Sequence, residues 1–312
     1  MNRDLYCNTA AYQVYLDIRS WFMNNVYYKL VSPKEVISKV FLRRFGRPMN
    51  WENPRDLNEK LNWLKLNSDT TKWTELSDKY LVREYIENKG LGDILVKLYG
   101  KWDNAKSIEW DKLPKSFVLK TNHGSGDVFV IKDKSTVNKK HITKELNKYL
   151  RKPFGLEFGE HHYLDIKPCI IAEEYLEQTG ESYTTSLVDY KVWCFDGEPA
   201  YIWACYSRSK EGVYVEVHDL DWNYLREKSV FTHHYLDGKG IVPKPKKLEE
   251  MIETAKRLSE GFPVVRVDLY EVNGNLYFGE MTFTSNGGFN DFYTQEFLNE
   301  LGDKINLNKT SK

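Results

Sequence analysis

Two stretches of this sequence gather side chains that can do chemistry. The first is the apolar run 264–270, which carries Arg266 and Asp268, followed by the run 276–282, which carries Glu280 and Thr282. Residues two apart on a strand share a face, so Arg266 and Asp268 point the same way, as do Glu280 and Thr282. Asn273-Gly274 between the runs is a type I′ hairpin signal. Pairing across that turn predicts Asp268 and Glu280 near each other at one end of the hairpin. Two neighbouring carboxylates repel unless a cation sits between them. Mg²⁺ favours hard oxygen ligands: one or two carboxylates plus substrate phosphates. The flanking Val265, Val267, Phe278 and Phe283 argue against a surface hairpin with incidental charge, so a metal-holding pair is expected.

The second stretch runs from Phe117 to Lys132. A β-like run ending in Lys120 meets Gly124-Ser125-Gly126-Asp127, and a second β-like run follows. Glycines let backbone N–H groups wrap anionic oxygens, and a lysine adds a point charge. The Walker A pattern needs a glycine, four residues, Gly-Lys-Ser/Thr and a following helix; neither is present, which excludes a P-loop nucleotidase. Taken alone, Gly-Ser-Gly-Asp reads first as ordinary hairpin-turn chemistry and second as a flap over phosphates.

The elements that must position these groups follow from periodicity. Residues 1 to about 75 read as helical, with Ser32 as cap, Pro33 at a first helical position and Val36, Ile37, Val40, Phe41 and Phe45 on one face. Helices are predicted at 57–66 and 77–88, the latter ending at Gly90. The favoured expectation for the N-terminal helices is packing on the main body. The alternative is contact of their aromatic and basic residues, Arg43, Arg44 and Arg47 among them, with an anionic membrane. From Ile94 onward strands are predicted at 94–98, 117–121, 128–133, 170–175, 186–195, 200–204, 213–217, 264–270 and 276–280. Helices at 141–150, 245–261 and 292–301 interrupt them. The pattern is α+β with hairpins rather than strict βαβ alternation.

Composition narrows the class. The 312 residues suit about two domains. Lys plus Arg and Asp plus Glu number 45 each, so the net charge of zero argues against a nucleic-acid binder. Mean hydropathy of −0.60 and the lack of a long apolar run exclude a spanning helix. The opening residues have no basic segment followed by an apolar one, so no secretory signal is expected. Cys7, Cys169, Cys194 and Cys205 make no Cys-x-x-Cys pair, and buried reduced thiols are expected rather than a disulfide or zinc site. These features imply a cytoplasmic protein, free or at the inner face of the membrane. No oligomeric state follows from them.

In order, these features resemble the ATP-grasp superfamily, and within it the polysaccharide-biosynthesis branch related to the teichuronopeptide protein TupA. The residues carrying the resemblance are Ser77 to Arg83, Lys120 to Asp127, Glu173 to Leu176, Asp189 to Gly197 and Arg266 to Gly288. The resemblance implies two α+β subdomains clasping ATP, with a helical N-terminal region over 1–75. The ATP-grasp core with its metal hairpin would be 76–114 and 180–305, and the flap subdomain 115–179. It implies Lys79 in the early Asp-Lys motif, Lys120 on the α and β phosphates, and Gly124, Ser125 and Gly126 as the flap. Glu174, Tyr175 and Leu176 would be the adenine hinge and Glu181 the ribose ligand. Lys191 would reach phosphate or the reacting acyl group, and Arg266 would stabilise developing negative charge. Asp268 and Glu280 would hold Mg²⁺; the superfamily's Glu-x-Asn here reads Glu280-Met281-Thr282, so Thr282 or Asn286 would supply the third ligand.

The implied activity is ATP- and Mg²⁺-dependent ligation of a carboxylate to an amine through an acyl phosphate. In this branch the implied partners are a sugar acid or glycan acceptor and an amine donor, within capsule, O-antigen or exopolysaccharide assembly. Two other enzyme readings share that setting: a phosphotransferase acting on a glycan hydroxyl, and a glycosyltransferase, for which no convincing Asp-x-Asp motif is present. A non-catalytic glycan or membrane-surface module is the remaining class. Tyr206-Ser207-Arg208 could clamp a carboxylate, and Trp193, Trp203, Tyr206 and Trp222 could contact an acceptor. Adjacent His161-His162 and His233-His234 are poor zinc chelators.

Overall fold

The computed structural model describes residues 10–178 and 182–309. Glu181 and Cys7 therefore lie outside the described residues. The N-terminal region is helical. Helix α1 (Ala10–Phe22) runs through a π-helical turn (Met23–Tyr27) into the single turn α2 (Tyr28–Leu30). Helix α3 (Pro33–Phe45) starts as its sequence predicts: Ser32 Oγ accepts from the Glu35 N–H at 3.2 Å, and Gly46, at φ 67°, ends it. Val36, Ile37, Val40 and Phe41 of α3 are buried. The expectation that the N-terminal helices pack on the body holds for α3 and fails for α1. Val14, Ile18, Trp21 and Phe22 of α1 are exposed, because among the described residues α1 packs extensively only on the turn that follows it.

Helix α4 (Leu57–Asn67) is capped by Asp56, whose carboxylate accepts from the Glu59 N–H at 2.8 Å. The helix expected over 77–88 starts late, as α6 (Val82–Asn88), and a separate helix, α5 (Thr71–Ser77), ends where it was expected to begin. Asp78 breaks it. Its backbone is extended, and its Oδ1 accepts from the N–H groups of Tyr80 and Leu81 at 2.8 and 3.2 Å. An Asx turn thus competes with helix continuation. The same break ties the segment to the flap: Asn122 Nδ2 donates to Asp78 Oδ2 at 2.8 Å, and Lys79 N donates to Asn122 O at 3.1 Å.

Two sheets follow. The smaller holds β1 (Leu98–Trp102), β2 (Phe117–Thr121), β3 (Val128–Ile131) and β4 (Ile170–Glu174) in the order β1-β4-β2-β3, all antiparallel. The strand expected at 94–98 is displaced to 98–102. Ile94 instead sits in a 3-10 turn and is buried in the core of the larger sheet. Phe117 and Leu119 of β2 bury with Ile142 and Leu146 of helix α7 (Lys139–Tyr149), and the alternating Val118 and Lys120 face the cleft.

The larger sheet holds β5 (Asp189–Phe195), β6 (Glu198–Tyr206), β7 (Val213–His218), β8 (Tyr235–Asp237), β9 (Val264–Val272) and β10 (Asn275–Thr282). Its order is β10-β9-β5-β6-β7-β8, antiparallel except for β7 with β8. Met251, Ala255 and Leu258 of helix α8 (Leu248–Ser259) join Val265, Val267 and Leu269 of β9 in the main core, with Phe297 and Leu301 of helix α9 (Gln295–Asp303). The intervening β9 residues, Arg266 and Tyr270, face the cleft between the sheets. Among the described residues no helix is long and apolar enough to cross a membrane.

Candidate active site

A cleft of about 960 Å³ lies between the two sheets, within the size range of small-molecule sites. Its larger-sheet wall is built by register. On β5 and β9, Lys191 pairs with Asp268 and Trp193 with Arg266; on β9 and β10, Asp268 pairs with Glu280 and Arg266 with Thr282. Directly paired residues share a face, so Lys191, Asp268 and Glu280 form one row and Arg266 and Thr282 belong to the next.

A bulge makes this row. Asn273 (φ 51°) and Gly274 (φ 79°) form the expected left-handed turn, pairing Val272 with Asn275. Counting regularly from there would put Gly279 opposite Asp268 and turn Glu280 to the other face beside Val267. Instead the register shifts between Phe278 and Glu280. The extra residue is Gly279, where a Cβ would lie 2.9 Å from Tyr270 Cε2 and 3.0 Å from Asp268 O. The sequence expectation of proximate carboxylates is met in the structure only through this bulge.

Charges in the row are closely matched. Lys191 Nζ lies 2.5 Å from Asp268 Oδ2 and 2.5 Å from Asp189 Oδ2. Arg266 Nε donates to Asp268 Oδ1 at 2.7 Å, and its Nη2 donates to Oδ2 at 2.8 Å. Arg266 also donates to Ser285 Oγ at 2.7 Å and Thr282 Oγ1 at 3.2 Å. Burial pulls the Lys191 pKa down, but Asp189 and Asp268 outweigh it and leave it raised. Arg266 behaves alike: burial works against its charge, and Asp268 more than restores it. Burial pushes the Glu280 pKa up, while Lys79, Lys191 and Arg266 more than offset that and hold it at about 2. Glu280 is deep in the cleft, yet 42% of its side chain is open to it.

The facing wall comes from the smaller sheet. Lys120 Nζ lies 2.5 Å from Glu173 Oε2, and Arg83 reaches the other oxygen at 3.5 Å. Lys79 Nζ donates to Gly124 O at 2.6 Å, fixing the glycine loop; burial lowers its pKa and Glu280 opposes that. Gly124, Ser125 and Gly126 line the mouth, with Gly126 at φ 83°. Glu174, Tyr175 and Leu176 line the cleft where the chain leaves β4. An anion entering here meets Lys79, Lys120, Lys191 and Arg266, each held by a protein oxygen that a phosphate could replace or share.

The residues fit Mg²⁺ in chemistry. Among the described residues Asp189 Oδ1 is buried with no hydrogen-bond partner, and Asp189, Glu280 and Asn286 all line the cleft. Asp268 is committed more tightly: it is 1% exposed, and both oxygens are bonded to Arg266 or Lys191. Thr282 lies off the cleft lining; its Oγ1 donates to Glu280 Oε1 at 3.2 Å. Asn286, at φ 49°, donates its amide to Phe289 O at 2.6 Å. Among the described residues no three His, Cys, Asp or Glu side chains are already gathered as a metal cage.

Several site residues were not singled out by sequence reasoning. Asp189 stands two residues before Lys191 on β5, a spacing that could have flagged it as sharing that residue's face. Glu173 was passed over for Glu174, and no periodic signal distinguishes the two. Ser285 carries none, because its role depends on Arg266. Of the four aromatics considered for the acceptor, Trp203 lines the cleft, stacked on Phe292 at 4.4 Å and 7°. Trp193 is buried and donates to Tyr293 Oη at 3.0 Å; Trp222 stacks on His218. Arg208 is exposed on the cleft rim. His161 and His162 occupy a 3-10 turn rather than a strand. Cys169, Cys194 and Cys205 are free and buried, and burial raises each thiol to about 12.

A family model described as TupA-like ATPgrasp matches residues 59–306. The sequence has no match among curated proteins. Among solved structures, D-alanine–D-alanine ligase from Bacillus anthracis complexed with ATP is similar at 13% identity and a TM-score of 0.37, over 81% of this chain and 63% of that one. The ATP-grasp ligase PsnB complexed with minimal precursor is similar at 12% identity and a TM-score of 0.40, over 78% and 66%. D-alanine–D-alanine ligase from Helicobacter pylori matches at 12% identity and 0.40, over 82% and 68%. The chain thus spans just under two thirds of the length of the first two structures. With the match extending over most of the sequence, from α4 to the end of α9, this chain belongs to the TupA-like ATP-grasp family.

Proposed function

We propose that this protein is an ATP- and Mg²⁺-dependent carboxylate–amine ligase that joins an amino compound to a sugar acid in cell-surface polysaccharide synthesis. The observation that carries the reading is the cleft itself. Lys120 on the flap sheet faces a row of Lys191, Asp268 and Glu280 on the other sheet, with Arg266 beside it. Four cations and hard acids around one cavity suit a polyphosphate rather than a neutral ligand.

In this reading Lys79, Lys120 and the loop 124–126 hold the phosphates, Tyr175 and Leu176 border the base, and Glu181 takes the ribose. Glu280, Asp268 and Asn286 would hold Mg²⁺, which supplies neutralisation of phosphate charge. Lys191 and Arg266 orient the γ-phosphoryl group toward a substrate carboxylate oxygen. That oxygen bonds to phosphorus as the bond to ADP breaks, giving an acyl phosphate. The amine nitrogen then attacks the acyl carbon, phosphate leaves, and the nitrogen loses a proton. Arg266 stabilises the negative charge at the reacting centre. The closed flap keeps water from the acyl phosphate.

Thermal shift with Mg-ATP tests the nucleotide reading before any acceptor is known. Ligand at a hundred times its Kd adds about 2.7 kcal/mol. A stabilisation that shrinks without Mg²⁺ and with Lys120→Ala is expected. No stabilisation at millimolar ATP in folded protein would sink the reading. Sugar acids with amines should then give ADP, free phosphate and an amide. ADP with a stable phosphorylated glycan would replace the ligase with a phosphotransferase.

A further inference from the structure

Helix α1 turns its apolar side to solvent. Val14, Tyr15, Ile18, Trp21 and Phe22 are 55%, 57%, 62%, 62% and 50% exposed. At 3.6 residues per turn they fall within an arc of about 120°. Leu30 beyond the π-helical turn is 81% exposed. Apolar side chains at helical spacing are ordinarily the face a helix buries; here they form an exposed stripe, with a Trp and a Tyr among them.

The surroundings are basic. The whole chain is neutral, yet residues 10–47 carry seven Lys or Arg against two Asp or Glu. Arg44 and Arg47 are used internally, on Asp291, Asp56 and Glu59. Arg19 and Arg43 are exposed, make no ion pair among the described residues, and both act electrostatically on Tyr28. Both therefore lie within electrostatic reach of Tyr28, where Glu157 acts with the opposite sign.

We infer that α1 is an interfacial anchor whose occupant is the surface of an anionic lipid bilayer. An aromatic apolar stripe beside unpaired cations matches the acyl boundary beneath anionic headgroups. A second copy of the chain fits less well. Thirteen residues of helix are about 20 Å long, and a stripe about 10 Å wide offers about 200 Å², against about 800 Å² per partner in a stable interface. Two copies would also bring like charges together. The anchor leaves the ATP cleft free, so it does not depend on the proposed reaction.

Vesicle flotation of the full chain tests it, comparing phosphatidylcholine vesicles with vesicles containing about two fifths phosphatidylglycerol. Binding to the anionic vesicles is expected, falling as salt rises from 0.1 to 0.5 M because screening shortens the Debye length. Ile18→Glu with Trp21→Glu should abolish flotation and leave the melting temperature and its response to Mg-ATP unchanged. Arg19→Glu should weaken binding about fivefold or more, a contribution of one basic residue at such a surface. Absence of flotation, equal flotation on neutral vesicles, or flotation that survives the double substitution would overturn the anchor. So would a dimer in sedimentation that the double substitution dissolves, since a second copy would then cover the stripe.

Discussion

At Lys191 one ammonium meets two carboxylates in a nearly closed space, with 8% of its side chain exposed. Breaking a buried pair costs about 3–5 kcal/mol because the remaining charge loses its partner. Lys191→Met is therefore expected to lose several kcal/mol in urea unfolding as well as turnover. Lys120 is expected to behave differently, because its partner Glu173 keeps Arg83 at 3.5 Å: Lys120→Met costs less stability than Lys191→Met and loses most of the Mg-ATP thermal shift. Equal stability losses would show that the two lysines do not divide in this way. His162 offers a pH test. Burial, with Lys65 and His161, lowers its pKa to about 3, against an unfolded value of about 6.5. Its neutral form thus supports folding above pH 6.5, and that support is lost as pH falls toward 3, where the unfolded chain takes the proton first. The slope is up to about 1.4 kcal/mol per pH unit. His162→Phe should flatten the unfolding free energy between pH 6.5 and 4; an unchanged slope would remove His162 as its source.

Among elements, the β9–β10 hairpin carries the most information per residue. Its turn, Asn273-Gly274, and its alternating apolar residues are legible in sequence. Its bulge is not, because Gly279 looks like any strand glycine until Tyr270 and the Asp268 carbonyl are packed against it. Gly279→Ala forces a Cβ into that contact. Overpacking of this kind costs about 1–3 kcal/mol. The greater consequence is expected in function, since relief by a regular ladder would turn Glu280 away from Asp268. ADP formation should fall by at least tenfold while the far-ultraviolet spectrum is retained. Activity within twofold of the parent would mean the bulge does not set the row. The break at Asp78 teaches a similar lesson: Ser77 to Asn88 has helical periodicity, but Asn122, 44 residues away, holds the Asp78 carboxylate in the turn.

For the whole molecule, the helical N-terminal region is part of the site's support. Lys65 of α4 donates to Asn62 Oδ1 and Phe158 O at 2.8 Å each and to Gly287 O. Asn62 donates to Gly288 O at 2.7 Å, and Asn290 N donates to Asn58 Oδ1 at 2.8 Å. Helix α4 thereby fixes the loop whose Ser285 receives Arg266 and whose Asn286 lines the cleft. Burial pulls the Lys65 pKa down to about 7, with Glu160 opposing. Lys65→Met is expected to destabilise by about 1–3 kcal/mol through unsatisfied carbonyls and to lower kcat more than it changes the KM for ATP. A change confined to stability would make α4 a scaffold without influence on Arg266.

The sequence by itself determined the local structure and the chemical inventory. The Ser32 cap, the Asn273-Gly274 turn, most strands and the order of Lys120, Lys191, Arg266, Asp268 and Glu280 all follow from neighbours a few residues apart. Together they made the family legible. Tertiary structure decided what those residues face. The register that sets Glu280 beside Asp268, the pairing of Lys191 with a carboxylate 77 residues away, the entry of β1 into the smaller sheet and the exposure of α1 all depend on contacts between distant segments. Periodicity specifies which face of an element is apolar; only packing against the rest of the chain specifies what that face meets.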